Sequence, residues 1–423
     1  MWENMTEQSG PSSVVRLARW QRRHAEGISL ERTPVVAIHK PGDQVLDLRQ
    51  TLLSVHSDEF VDTLISPSGE WQYYVEEHLN PYDMQPRELL ARFMDDLEPV
   101  YEAVSLSLDA LKPYGYNRHD RQHAEKVGET GLYLLEAGGY DLSVQRRFAA
   151  AAAAHDLGNL LSRFSQSVLA PQVFHGLYPN LAFSKMDWAK IERAVKRHEE
   201  DVANGLNESN QRHTDPLSLD KRSSYMLKQF GPEGVALIAS DKMHIGRDRL
   251  SAKAIHPEAV DADSHTATNL LLGTTHTEAK GDKFIWRLDF NPEINETELP
   301  KLRGLALPHS SRNGYKAYVS RHTHELYRSE GKPHFKSTVE NFFEIYSGRV
   351  ALTVESIFAL LPGIDVFEMG FTDQSAASGF VFNASASITR YGRDGFSDKI
   401  LSYLATLQNT PHFHTSRKEL RRT

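Results

Sequence analysis

The chain contains no cysteine. Disulfides and thiolate metal sites are therefore excluded, and any metal site must be built from His, Asp, Glu and water. Long apolar runs are also missing: none approaches the roughly 18 residues that a membrane span needs. Basic charge is not in excess. Lys and Arg total 48 against 56 Asp and Glu, a formal net charge of -8, which argues against a protein whose main business is coating nucleic acid. The N-terminal MWENMTEQSGPSS is polar and lacks a basic-then-apolar signal pattern, so a cytoplasmic enzyme is the expectation.

What is present is ample length and a large supply of imidazole. A chain of 423 residues that is 40% hydrophobic and 25% charged can bury a real core in two or three domains. Its 20 histidines are a generous stock of metal donors for a protein without thiols. Residues 1–13 read as a flexible tail and 14–85 as an N-terminal extension, with a short basic helix over 14–25 and a strand over 33–38. Residues 86–260 read as helical. Leu89, Leu90, Phe93, Leu97, Val100, Val104, Leu108 and Leu111 recur at helical steps, with Pro99 expected to kink or split the run. Further helices are expected over 117–138, 143–157 and 185–199, and loops over 174–180 and 201–216. Polar, turn-rich sequence over 261–282 is the best boundary. Beyond it, 283–290, 364–371 and 379–388 read as strands and 339–361 as a helix, giving a C-terminal α+β domain over 283–423.

The stretch 148–159, FAAAAAAHDLGN, places His155 and Asp156 at the end of an alanine helix, with Gly158 expected to release the chain. His119 and His123 are four apart and share a helix face. Asp241 follows the apolar run GVALIAS. Buried imidazoles and carboxylates are costly unless paired or metal-bound, and two His with two Asp form a donor set suited to a divalent Mn, Fe, Mg, Co or Ni ion.

The order His123, His155-Asp156, Asp241 on successive helices resembles the HD superfamily of metal-dependent phosphohydrolases. The flanking residues agree with that pattern: His155-Asp156-Leu157-Gly158 after the pair, Ser240-Asp241-Lys242 around the last ligand, and Tyr116-Asn117-Arg118-His119 before the first. The resemblance covers about 114–249 and implies a mainly α fold, an HD-type helical bundle core carrying the C-terminal α+β domain. It implies metal ligation by His123, His155, Asp156 and Asp241, with Asp156 also orienting a metal-activated water. His119 or His198 would protonate the leaving oxygen, and Arg163, Lys242 and Arg247 would meet phosphate. Asn159 and Gln166 depart from the family pattern and leave a second metal, on His175 and His198, undecided. The implied substrate is a small-molecule phosphomonoester or phosphodiester such as a nucleotide. Alternatives are an HD-type di-iron oxygenase and a non-catalytic nucleotide-binding regulatory HD protein. The C-terminal domain would recognise a ligand, mediate a possible homo-oligomer or cover the site. No membrane partner is expected.

Overall fold

Six consecutive alanines, 149–154, lie at the centre of the molecule, all of them inaccessible to solvent. A helix apolar on every side is a buried helix, and alanine lets its neighbours approach from every side. The computed structural model describes residues 78–111, 118–160, 166–198, 219–250, 274–290, 327–329, 332–334, 352–373 and 382–390, with a few single residues and pairs between them. The expected tail, basic helix and strand over 1–38 lie outside the described residues, as do the loop over 201–216 and the helix positions before 349.

The helices are α1 (Pro86–Asp96), α2 (Glu98–Leu111), α3 (Arg121–Ala137), α4 (Leu142–Ala154), α5 (Gln166–Leu177), α6 (Lys185–Arg197) and α7 (Leu219–Met243). Residues 352–360 form α8. The protein is thus mostly helical, with a small mixed sheet. Pro99 splits the first run as expected. It sits in the first turn of α2, where its missing N–H is not needed. Side chains of Asp120, Asp141 and Ser184 cap α3, α4 and α6 by accepting from the N–H groups of His123, Val144 and Asp187. Helix α7 bends at Gly231-Pro232. Gly231 has φ 69°, a conformation that favours glycine.

Helix α4 is the hub: α1, α3, α6 and α7 pack directly on it, and α5 touches it as well. One ion-pair network ties three of these elements together. Arg147 of α4 reaches Glu233 of α7 at 2.5 Å and Asp187 of α6 at 2.9 Å, with all three side chains largely withdrawn from water. The hydroxyl of Tyr101 on α2 donates to the Ala153 carbonyl at 2.6 Å.

The four-stranded sheet has the order β1-β2-β5-β6: Thr274–Lys280, Lys283–Phe290, Val366–Asp373 and Phe382–Thr389. Strands β2 and β5 run parallel at its centre, with Phe284 opposite Phe367, and the outer pairs are antiparallel. A separate ribbon pairs β3 (Tyr327–Ser329) with β4 (Lys332–His334). The sheet and α8 share a hydrophobic core with the helices. Their polar contacts include the Ala279 N–H donating to Tyr133 Oη at 2.9 Å and Ser223 Oγ donating to the Glu355 carbonyl at 3.1 Å.

Two sequence expectations are corrected. Strand β1 lies inside the stretch read as a polar boundary, because an edge strand with one wet face carries few apolar residues to announce it. The loop expected over 174–180 begins only after α5 ends at Leu177. Phe174 and Leu177 belong to that helix's buried face. Among the described residues, no helix is long and apolar enough to cross a membrane.

Candidate metal centre

Four helix ends meet at one buried point. His123 stands in the first turn of α3, and His119 lies just before that helix. His155 caps the C-terminus of α4, and Asp156 follows it. Asp241 lies in the last turn of α7, and His198 caps the C-terminus of α6. All six side chains are buried. Helix ends bring short side chains together from several directions without needing long loops, and a packed alanine hub holds their axes.

His123 Nε2 lies 3.3 Å from His155 Nε2, 3.3 Å from Asp156 Oδ2 and 3.4 Å from Asp241 Oδ1. His155 Nε2 is also 3.3 Å from Asp156 Oδ2. Nitrogen and oxygen ligands about 2.1 Å from a common ion stand roughly 3.0–3.5 Å from one another. The His123, His155 and Asp156 donors thus have the spacing that ligands of one ion would have, and Asp241 stands equally close to His123. Two overlapping groups, His119-His123-Asp156 and His123-His155-Asp241, could hold a metal ion. All their donors are nitrogen or carboxylate oxygen, which fits borderline to hard divalent cations.

Outer partners orient these donors. His155 Nδ1 meets the Ala152 carbonyl at 2.7 Å and His198 Nδ1 meets the Val195 carbonyl at 2.6 Å. A carbonyl only accepts, so each ring carries its proton on Nδ1 and turns Nε2 the other way. Asn159 Nδ2 donates to Asp156 Oδ1 at 3.2 Å and to its backbone carbonyl at 3.0 Å. His119 Nδ1 is 2.8 Å from Asp156 Oδ2.

Charge is strongly organised. Burial alone would raise the Asp156 carboxyl, but the adjacent His119 and His155 imidazoles outweigh it and hold the group well below the usual carboxylate range. Asp241 is likewise held low against its burial, chiefly by Lys242. Burial, reinforced by the Arg249 guanidinium, pushes His123 well below the ordinary imidazole range. His155 goes the other way, because the charge of Asp156 outweighs its burial. Burial and the neighbouring His155 bring His198 down to about 4, so it is neutral near pH 7.

The remaining expected site residues are placed differently. Lys242 is buried, with its ammonium on Asp241 Oδ2, so it braces a carboxylate. Arg247 lies on the short turn Arg247–Arg249, and its side chain is outside the described residues, as is the whole of Arg163. His175 is exposed near the end of α5, its ring 4.9 Å from that of Trp188, and belongs to neither donor group. The structure brings two further residues onto the donors. Arg249 Nη2 lies 3.1 Å from His123 Nε2, and His244 Nδ1 lies 2.7 Å from His123 Nδ1. The only sequence signal for them is position: both follow closely on Asp241. No protein-family model matches the chain, and neither a curated protein nor a solved structure matches it.

Proposed function

We propose that the chain is a metal-dependent phosphohydrolase with an HD-type helical core, acting on a phosphomonoester or phosphodiester such as a nucleotide. The observation that carries this reading is the meeting of His155, Asp156 and Asp241 on His123 Nε2, each 3.3–3.4 Å from it, in the order that resembles the HD superfamily. A divalent ion bound there would supply a Lewis acid for the phosphoryl oxygen and a water made nucleophilic near neutral pH.

The chain's own groups divide the remaining work. Asp156 Oδ2 lies 3.3 Å from both His123 Nε2 and His155 Nε2 and accepts a hydrogen bond from His119 Nδ1, so carboxylate and imidazole orient each other. His119 is the better proton donor to a leaving oxygen. His198, neutral near pH 7, has no spare proton to give and suits a ligand or acceptor role instead. Arg249 brings a permanent positive charge to the buried donors, where an anionic phosphate would otherwise meet two carboxylates.

The test is metal analysis with a panel of phosphatase and phosphodiesterase substrates, run on wild type and Asp156→Ala. Wild type should hold divalent metal and hydrolyse at least one phosphate ester, and Asp156→Ala should fall to background on it. Unchanged turnover in Asp156→Ala would remove this site from the reaction. The other reading, an HD-type di-iron oxygenase, needs two ligands more than His123, His155, Asp156 and Asp241, and of His175 and His198 only His198 is buried beside the donors. Two irons per chain with a blank phosphatase panel would select it.

A further inference from the structure

Behind His123, on the side away from the other donors, stand His244 and Asp248, four residues apart. His244 Nδ1 is 2.7 Å from His123 Nδ1, and His244 Nε2 is 3.1 Å from Asp248 Oδ2. The two imidazole planes are within 14° and their centroids are 4.9 Å apart. A 2.7 Å nitrogen contact at that centroid separation puts both nitrogens between the ring centres. The rings therefore meet edge to edge in nearly one plane, the geometry of a ring-to-ring hydrogen bond rather than of face stacking.

The direction of every proton along this line is set from its outer end. Arg249 Nη2 approaches His123 Nε2 at 3.1 Å, and a guanidinium has donors only. The Asp156 and Asp241 carboxylates also stand 3.3 and 3.4 Å from this nitrogen and only accept, so the deciding group is Asp248 at the far end: its carboxylate takes the His244 Nε2 proton, which leaves His244 Nδ1 bare and makes His123 Nδ1 the donor to it. The neutral His123 ring then turns a bare Nε2 to the Arg249 guanidinium.

We propose that Asp248 and His244 are a two-step positioning relay that locks His123 in the one tautomer and ring orientation able to bind a metal through Nε2. The inference rests on the metal-centre reading above and deepens it. A metal-bound histidine needs its other ring nitrogen held by an acceptor, and losing such an outer partner weakens metal binding about 10–100-fold. Carbonyls of their own helices, at Ala152 and Val195, serve this purpose for His155 and His198. His123 cannot use the same device. It sits in the first turn of its helix, where backbone N–H groups rather than carbonyls are exposed. A side chain from beyond α7 has to supply the acceptor. Imidazole does so only if its own tautomer is fixed, which is the part played by Asp248. The Arg249 guanidinium meanwhile uses the His123 lone pair that a metal would take, a cation already standing at the donor.

The experiment is titration calorimetry of the metal-free, full-length chain with Mn²⁺, together with the visible spectrum of the Co²⁺-loaded protein. The variants are His244→Ala, His244→Gln and Asp248→Ala. Asp248 is partly exposed, so Asp248→Ala tests the relay without emptying the core. His244→Ala should weaken Mn²⁺ binding about 10–100-fold and shift the Co²⁺ bands. His244→Gln, whose amide oxygen still accepts from His123 Nδ1, should recover most of that loss. Asp248→Ala should lose less than His244→Ala while shifting the same bands. Wild-type Mn²⁺ affinity and Co²⁺ spectra in both alanine variants would overturn the relay while leaving the metal centre standing. A wild-type chain that binds no divalent ion would overturn both.

Discussion

Gly158 stands two residues after Asp156, and its reason for being glycine is space. A β-carbon there would lie 1.9 Å from the carbonyl oxygen of Gln166, a backbone atom that cannot rotate aside. Sequence logic instead expects this glycine to release the chain after a helix, yet it is not among the positive-φ glycines. The close approach of α5 was invisible because it is a contact between segments, with no local signature. Gly158→Ala should therefore destabilise the protein by about 1–3 kcal/mol, the usual penalty for overpacking. A urea titration with an unchanged midpoint would show that the segment after residue 160 can retreat without loss. The donors themselves were legible for the opposite reason. His123, His155, Asp156 and Asp241 each sit at or near the end of a helix with an apolar face and are expensive to bury, and such groups advertise a partner. His244, Asp248 and Arg249 sit in KMHIGRDR, which by composition is indistinguishable from a solvated basic face.

At the scale of elements, the bundle is pinned by one arginine as well as by apolar packing. Arg147 leaves α4 and satisfies a carboxylate on each of two other helices. Arg147→Met would strand Glu233, whose side chain is only 4% exposed. The expected loss is about 3–5 kcal/mol of unfolding free energy. The double variant Arg147→Met/Glu233→Leu should recover a substantial part of it, since the deeper carboxylate is gone while Asp187 keeps its hydrogen bonds from the Ser184 and Tyr82 hydroxyls. Chemical denaturation of the three proteins checks this, and a double variant no better than the single one would show that the pair orders the helices by more than charge balance. Helix positions were readable from hydrophobic period, caps and proline, all of them local. The network was not, because Arg147 and Glu233 are 86 residues apart and neither position is unusual for an exposed helix face.

Across the whole molecule, the sheet and the helices share one core, so the energy of filling the metal centre should be felt in global unfolding. A ligand that binds only the folded state stabilises it by about 2.7 kcal/mol at a hundredfold excess over its Kd. Wild type should therefore melt higher with Mn²⁺ than with a chelator, and Asp156→Ala should show no difference between the two. Equal melting temperatures for wild type in both conditions would mean that no ion is held by the native state. The sheet is where sequence reading was weakest. Its central strands, β2 and β5, carry enough apolar residues to announce themselves, whereas β1, with the sequence TTHTEAK, is polar at an edge and reads as a linker. Parallel pairing of β2 with β5, which begins 76 residues after β2 ends, has no local signal at all.

The six alanines of α4 have a consequence for adaptation. Alanine has no rotamers, so nothing along this stretch can change shape when a substrate arrives, and no side-chain freedom is lost in holding it still. His155 and Asp156 move only if an entire helix moves with five others packed on it. The rigid part of the site is thus assigned to residues that have no choice of conformation. Under the proposed function, fitting to one phosphate ester rather than another would fall to the long side chains that arrive from beyond α7, where Arg249 already stands against the donors.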